Sequence, residues 1–166
     1  MSMEFKSGDM TRITGVRLAR LQQWWAAGYI RPPSICVAQG AGTRNVFSLS
    51  DLFLIMFFRR SIESGIPRED IKKLIVNINK QDDMLLRLLE TNLESVKREG
   101  AHTMPSPDVI EIYAVFFRQG NEVIKFEVLT AQYGKFAVPE EISGADDFIG
   151  INIGKIMDEL FKNITV

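Results

Sequence analysis

The order of apolar and polar positions predicts a run of short helices at the start of the chain. A helix is expected from Ser7, as its cap, to about Ile13, and Thr14-Gly15 ends it because glycine tolerates the left-handed backbone of a tight turn. A second helix is expected over Val16–Ala27, closed by Gly28. Three apolar residues recur on it at helical spacing: Leu18, Leu21 and Trp25.

A hairpin and two further helices are expected next. The β-prone runs 34–38 and 43–47 flank the glycine-rich stretch 39–42. Ser48 and Asp51 stand three apart before an apolar run, the spacing of a capping box, so a third helix is expected from about Leu49 to Glu63. Gly65 then serves as its C-terminal cap, and Pro67 suits the first turn of a fourth helix over 68–79.

The second half changes its pattern at a linker around Pro105 and Pro107. Before it, residues 81–99 form a helical pattern with one apolar seam, made of Leu85, Leu89, Leu93 and Val96. After it, strands are expected over 109–117 and 122–129, a third short strand over 135–138, a loop over 139–149 and a closing helix over 151–164. The pattern predicts an α+β protein with three parts: 1–79, 80–100 and 101–166.

Charge separates the two halves. Residues 1–80 hold 12 Lys and Arg against 6 Asp and Glu, a net charge of +6, whereas residues 81–166 hold 8 against 15, a net charge of −7. This split indicates that the first half faces a polyanion, although chance segregation of surface charge gives the same pattern. No apolar run approaches the roughly 18 residues of a membrane span, and no secretory leader is visible. A lone cysteine, Cys36, suits a reducing cytoplasm.

The element order of helix, turn, helix, hairpin, helix, helix is that of a winged helix-turn-helix. On the second helix Arg17, Arg20 and Gln23 stand three apart and share a face. Arginine and glutamine can donate to phosphate oxygens or base edges. Arg44 follows the hairpin turn, where a β-ribbon can reach a phosphate or the minor groove.

These residues resemble the MerR family of transcription regulators. The stretches that carry the resemblance are Ile13–Val16, Leu21–Pro32, Gly40–Ser48, Asp51-Leu52 and Gly65–Ile71. The resemblance implies a cytoplasmic homodimer that binds pseudo-palindromic promoter DNA, with RNA polymerase as a further candidate partner. It also implies that the seam of the 80–100 helix pairs with a second copy, and that 101–166 is an effector or dimer-extension domain.

The residues expected to contact DNA are Arg17, Arg20, Gln22, Gln23, Thr43 and Arg44. Many family members have Arg-Tyr where this chain has Gln22-Gln23, which moves phosphate binding toward Arg17, Arg20 and Arg44. The family's metal sensors carry several cysteines after the dimer helix, whereas this chain has none there, so metal sensing in that style is not expected.

Several residues have more than one interpretation. Trp24 and Trp25 are expected to pack rather than stack on bases, and Cys36 to pack in a strand rather than act as a redox switch. Arg59-Arg60 either contact DNA or are solvated charges at a helix end. The aromatic residues of the second half form a core or line a ligand pocket, and the core is favoured: Phe116, Phe117, Phe126, Tyr133, Phe136 and Phe148.

Enzymatic activity is not expected, because no catalytic pair, phosphate loop or nucleophile motif is visible. No cofactor is expected either, and His102, the single histidine, has no second metal ligand near it. The alternative to a DNA-binding regulator is a protein-interaction module that keeps the winged-helix fold.

Overall fold

The computed structural model describes residues 3–79, 111–132, 135–136 and 145–165. Within these ranges the chain is α+β, with five helices and two small antiparallel sheets. The elements in chain order are β1 (Phe5–Lys6), α1 (Ser7–Thr14), α2 (Leu18–Ala26), β2 (Val46–Phe47), α3 (Leu49–Glu63), α4 (Arg68–Asn79), β3 (Glu111–Gln119), β4 (Glu122–Gln132), β5 (Lys135–Phe136), β6 (Asp147–Asn152) and α5 (Ile153–Thr165). The predicted helix over 81–99, with its seam Leu85, Leu89, Leu93 and Val96, and His102 lie outside the described residues.

Helix α1 begins and ends close to its predicted positions. Its cap is Lys6 rather than Ser7, because the backbone N–H of Lys6 donates to the Asp9 carboxylate at 3.0 Å, so that Ser7 is already the first helical residue. Gly15 ends the helix with φ +68°, in the left-handed region expected from the sequence.

Helix α3 has the predicted bounds and forms the centre of the molecule. The predicted capping box is present: the Ser48 hydroxyl accepts from the Asp51 N–H at 3.2 Å, and the Asp51 carboxylate accepts from the Ser48 N–H at 2.8 Å. All residues from Leu49 to Phe58 are buried. A helix that is covered all round needs neighbours on every side, and α1, α4 and α5 all pack against it.

The predicted hairpin of 34–38 with 43–47 is wrong as a pair of regular strands. A single bridge joins Cys36 to Val46, and β2 instead pairs antiparallel with β1, placing Phe5 opposite Phe47. Side chains replace the missing ladder, since Asn45 Oδ1 accepts from the Ala38 N–H at 2.9 Å. Residues 34–45 therefore form a loop with a single bridge, hereafter the 34–45 loop.

The larger sheet has the strand order β5-β4-β3-β6. β3 and β4 form the expected hairpin, with a turn at Gly120 (φ +61°). The predicted loop over 139–149 is wrong at its end, because Asp147–Asn152 forms the edge strand β6, antiparallel to β3. Flanking acidic residues and Gly150 conceal the alternation of Ile149 and Ile151, and the closing helix starts at Ile153 rather than at 151.

Helix α5 joins the sheet to the N-terminal helices. It packs on β3 and also on α1 and α3. Its buried side chains belong to the same apolar cluster as those of the N-terminal half: Ile156, Met157, Leu160 and Phe161. The boundaries of the predicted domains stay a prediction.

Candidate nucleic-acid interface

Helix α2 presents a polar face to solvent. The side chains of Arg17, Arg20, Gln22 and Gln23 are all exposed, whereas Leu21 is 1% exposed. The predicted apolar stripe packs against the core, with Leu21 buried and Leu18 and Trp25 partly buried. Trp24, which lay outside the predicted stripe, is buried as well. Trp24 turns inward because its ring meets Phe58 of α3 edge-on, with 4.9 Å between the ring centroids.

Aromatic packing fixes the end of α2 as well as its middle. Tyr29 stacks on Phe58, the same ring that Trp24 contacts, with 5.9 Å between the Tyr29 and Phe58 centroids. Gly28, at φ +70°, makes the turn that brings Tyr29 back to this cluster. Trp24 thus packs in the core, as the sequence predicts. The aromatic cluster of Trp24, Tyr29 and Phe58 anchors the helix that carries the polar face.

One side of α2 borders a concave surface that carries three arginines, hereafter the arginine groove. Its lining residues are Gly15, Val16, Arg17, Arg20, Trp24, Arg59, Ile62 and Glu63. The Arg20 guanidinium lies 5.6 Å from the centroid of the Trp24 ring, a cation–π geometry that positions the charge at the groove.

The first turn of α2 also borders a second concave surface, hereafter the loop groove. It is lined by Lys6, Ser7, Gly8, Asp9, Leu18, Ala38, Thr43, Arg44 and Asn45. Among the predicted site residues, Arg17 and Arg20 line the arginine groove, and Thr43 and Arg44 line the loop groove. Gln22 and Gln23 are exposed but line neither groove, and Leu18 is the residue of α2 that borders the loop groove.

Thr43 holds the tip of the 34–45 loop together. Its hydroxyl accepts from the N–H of Gln39 at 2.8 Å and from that of Gly40 at 3.1 Å, and donates to the Gly40 carbonyl at 2.9 Å. This hydroxyl shapes the turn that presents Arg44, whose side chain is exposed. Asn45 was not predicted as a site residue. It is buried, and its side chain accepts from the Ala38 N–H on the opposite side of the loop.

A buried carboxylate anchors the base of the same loop to α3. Asp51 accepts from the Ser34 N–H at 2.9 Å, the Ser34 hydroxyl at 2.6 Å and the Arg31 Nε at 3.0 Å, besides its bond to Ser48. The side chain of Asp51 is 4% exposed. The capping-box spacing identifies Asp51, but no local spacing points to partners 17 and 20 residues earlier in the chain.

Cys36 lies on the surface of this loop, which corrects its prediction as a packed strand residue. With only one bridge in place of a strand pair, the loop has no second layer to cover its side chains. Ile35 and Val37 on either side are 39% and 41% exposed.

Arg59 and Arg60 both have internal partners. The Arg59 Nη1 donates to the Thr14 carbonyl at 2.8 Å, and its Nε bonds to Glu63 at the same distance. Arg60 bonds to Glu159 of α5, and this hydrogen bond raises the pKa of the Arg60 guanidinium above its usual value. Both arginines therefore tie α3 to neighbouring segments.

Of the predicted aromatic set, burial is described for Phe116, Phe117 and Phe148, and these divide between core and surface; the side chains of Phe126, Tyr133 and Phe136 lie outside the described part of the structure. Phe116 and Phe117 are buried, whereas Phe148 is 50% exposed with its centroid 6.3 Å from that of Phe117. In the described ranges no group of three His, Cys, Asp or Glu side chains has an arrangement that could hold a metal ion. None of the helices in those ranges has the length and apolar character needed to cross a bilayer.

No protein-family model matches this chain, and no curated protein matches it.

Proposed function

We propose that the protein is a sequence-specific, DNA-binding transcription regulator of MerR type that acts as a homodimer. The observation that carries the proposal is the exposed polar face of α2 between the arginine groove and the loop groove. Arg17 and Arg20 lie on one side of the helix, and Arg44 lies across the loop groove. Two separate elements thus offer cations around one helix, as backbone binding on both sides of a DNA groove requires.

Helix α2 has dimensions that suit the major groove. An α-helix with its side chains is about 10–12 Å in diameter, and the major groove of B-DNA is about 12 Å wide. With 9 residues, α2 offers about 14 Å of exposed length to such a groove. In this pose Arg17 and Arg20 bind phosphates from the arginine groove. Gln22 and Gln23 are exposed amides that can donate to and accept from base edges, as glutamine does with adenine.

Arg44 is the residue of the 34–45 loop that contacts DNA in this pose. The guanidinium is exposed next to a tip whose shape Thr43 maintains, so it can reach a phosphate or enter the minor groove without reordering the loop. The net charge of +6 in residues 1–80 supports binding to a polyanion by this half.

The homodimer follows from the seam of Leu85, Leu89, Leu93 and Val96, a prediction from the sequence. A single apolar stripe on a helix is covered when it pairs with a second copy. Two copies related by a two-fold axis would read a pseudo-palindromic promoter site, with RNA polymerase as a further candidate partner.

The test is selection of bound duplexes from random DNA, followed by measurement of Kd for variants. Arg20→Ala and Arg44→Ala are each expected to weaken binding about tenfold, as expected for the loss of a charge-assisted phosphate contact. Lys73→Ala is the matched control, because it removes an equal charge from α4, where Lys73 pairs with Asp70 at 2.8 Å. Unchanged affinity in both arginine variants would overturn the site assignment.

A protein-interaction module is the second candidate, favoured by one observation. Ile35 and Val37 place two exposed apolar side chains on the 34–45 loop, directly before Ala38 of the loop groove. Apolar residues in that position suit a protein partner better than a phosphate backbone. If this candidate is correct, Ile35→Ser with Val37→Ser abolishes partner binding, and the selection from random DNA recovers no preferred sequence.

A further inference from the structure

The C-terminal end of α5 is bonded to the last turn of α1 in both directions. The Arg12 Nη1 donates to the backbone carbonyl of Asn163 at 2.9 Å. In return, the Asn163 Nδ2 donates to the backbone carbonyl of Ile13 at 2.8 Å. The partners lie about 150 residues apart in the chain, so this contact belongs to the tertiary structure.

The bonded turn leads directly into α2. Thr14 follows Ile13, and its hydroxyl donates to the Met10 carbonyl at 2.7 Å and accepts from the Val16 N–H at 3.2 Å. The carbonyl of Thr14 in turn accepts from Arg59. Since α2 begins only two residues after Val16, a displacement of Ile13 is passed to the first turn of α2 through bonded backbone.

Packing along α5 makes it a stiff connection to the larger sheet. Its buried residues Ile156, Leu160 and Phe161 share one core with Met10 and Ile13 of α1. Close-packed interiors transmit displacement instead of absorbing it. The Arg60–Glu159 ion pair fixes the same helix to α3.

We propose that Asn163 is a positioning residue for α2, through which the C-terminal half sets the orientation of the DNA-binding face. Asn163 acts through the Ile13 carbonyl and the turn at Gly15 and makes no contact with DNA itself. The expected change in DNA affinity rests on the proposed function, whereas the positioning of α2 by Asn163 does not.

Tryptophan fluorescence provides a measurement that does not depend on DNA. The chain has two tryptophans, Trp24 and Trp25, and both lie on α2. Their emission therefore reports the environment of α2, including the contact of Trp24 with Phe58 of α3. Asn163→Asp removes the donor at nearly constant volume, and Asn163→Ala removes the whole amide.

Asn152→Ala is the matched control at the other end of α5. The Asn152 Oδ1 accepts from the Lys155 N–H at 2.9 Å and so caps the start of the helix. Asn152 is the last residue of β6, and this variant also loses a side-chain hydrogen bond to α5. The lost bond lies at the end of α5 that is far from α1. Circular dichroism confirms that the variants compared are folded at the temperature of measurement.

Both Asn163 variants are expected to shift the tryptophan emission and to weaken DNA binding about three- to tenfold, the size of a typical coupling between sites. The slope of log affinity against log salt should stay at the wild-type value, because no phosphate contact is lost. Asn152→Ala should change neither the emission nor the affinity.

Unchanged emission in both Asn163 variants would overturn the proposal, as would an equal shift in Asn152→Ala, which would indicate general loosening of α5. If the emission shifts only in the Asn163 variants while even the wild-type protein fails to bind DNA, the positioning role is supported and the proposed function falls. The two failures are therefore distinguishable.

Discussion

At the scale of single residues, Gly15 sets the geometry of the turn between α1 and α2. Its φ of +68° lies in the left-handed region, and a Cβ at this position would stand 2.7 Å from the Arg59 Nη1. Arg59 would then move away from the Thr14 carbonyl, to which it donates at 2.8 Å. Two features therefore favour glycine at this position: the left-handed backbone and the close approach of the Arg59 guanidinium.

Gly15→Ala is therefore expected to lower the free energy of unfolding by about 2 kcal/mol, combining the left-handed backbone cost with a lost hydrogen bond. Urea denaturation measures the change. Gly8→Ala is the control, because Gly8 lies in α1 with nothing within 4 Å of an added Cβ. That substitution should be neutral or stabilising by up to about 1 kcal/mol. Equal effects at the two glycines would contradict this role for Gly15.

At the scale of elements, the base of the 34–45 loop depends on Asp51. Asp51→Ala removes the buried acceptor that Arg31 and Ser34 share, whereas Arg31 keeps its bond to Ser50 and Ser34 its bond to Ser48. A loss of about 2 kcal/mol is therefore expected. Asp70→Ala breaks the pair with Lys73, whose side chain is 72% exposed, and removes an acidic residue from the first turn of α4, so it should cost about 1 kcal/mol or less.

Thermal unfolding compares the two aspartate variants, and hydrogen exchange at the Cys36 and Val46 amides, which bond to each other's carbonyls, reports the loop itself. Faster exchange is expected in Asp51→Ala alone. If both variants lose the same stability, the carboxylate of Asp51 does not anchor the loop.

The edge strand β6 carries a pH-dependent contact. Arg118 donates from Nε to the Asp147 carboxylate at 2.8 Å, and this hydrogen bond lowers the pKa of Asp147 below its ordinary value of 3.8. A carboxyl whose pKa is lower in the folded state stabilises the fold above its unfolded pKa, and the contribution disappears as pH falls through the folded pKa.

The difference in Tm between wild type and Asp147→Asn should therefore be largest above about pH 4 and shrink as the pH falls further. Calorimetry across pH 2–7 measures it. In an Arg118→Gln background the pH dependence of the difference should be much reduced. A difference that stays constant over the whole range would show that the ion pair contributes nothing.

Elements that local chemistry decides are predictable from the sequence, and elements whose partners are distant are not. The capping box at Ser48 and Asp51 and the glycines at 15 and 65 gave the bounds of α3 and the end of α1 to within a residue. The strands β2 and β6 were not predicted correctly, because their pairing partners are distant in the chain. β2 pairs with β1 rather than across the 34–45 loop, and β6 exists because β3 offers it an edge.

The candidate site divides in the same way. Exposure of Arg17, Arg20, Gln22, Gln23 and Arg44 agrees with the predicted polar face and loop tip. Which tryptophan is buried depends on Phe58, which lies more than 30 positions later in the chain, and the attachment of Arg59 and Arg60 depends on Thr14 and Glu159. No local periodicity carries that information.

At the scale of the whole molecule, charge and packing divide the protein differently. The basic residues concentrate in positions 1–80 and the acidic ones in 81–166, which predicts a single polyanion-binding half. The apolar core crosses this division, because α5 and β3 bury side chains together with α1 and α3. The acidic half is thus in mechanical contact with the half proposed to bind DNA.

The dependence of DNA affinity on salt tests the central claim most directly, with the duplex recovered by selection as the ligand. Phosphate binding by Arg17, Arg20 and Arg44 predicts that log affinity falls linearly with log salt, and that Arg20→Ala reduces the slope by about 1. Absence of binding at low salt, or an affinity indifferent to salt, would contradict the account and favour a protein partner for the same surface.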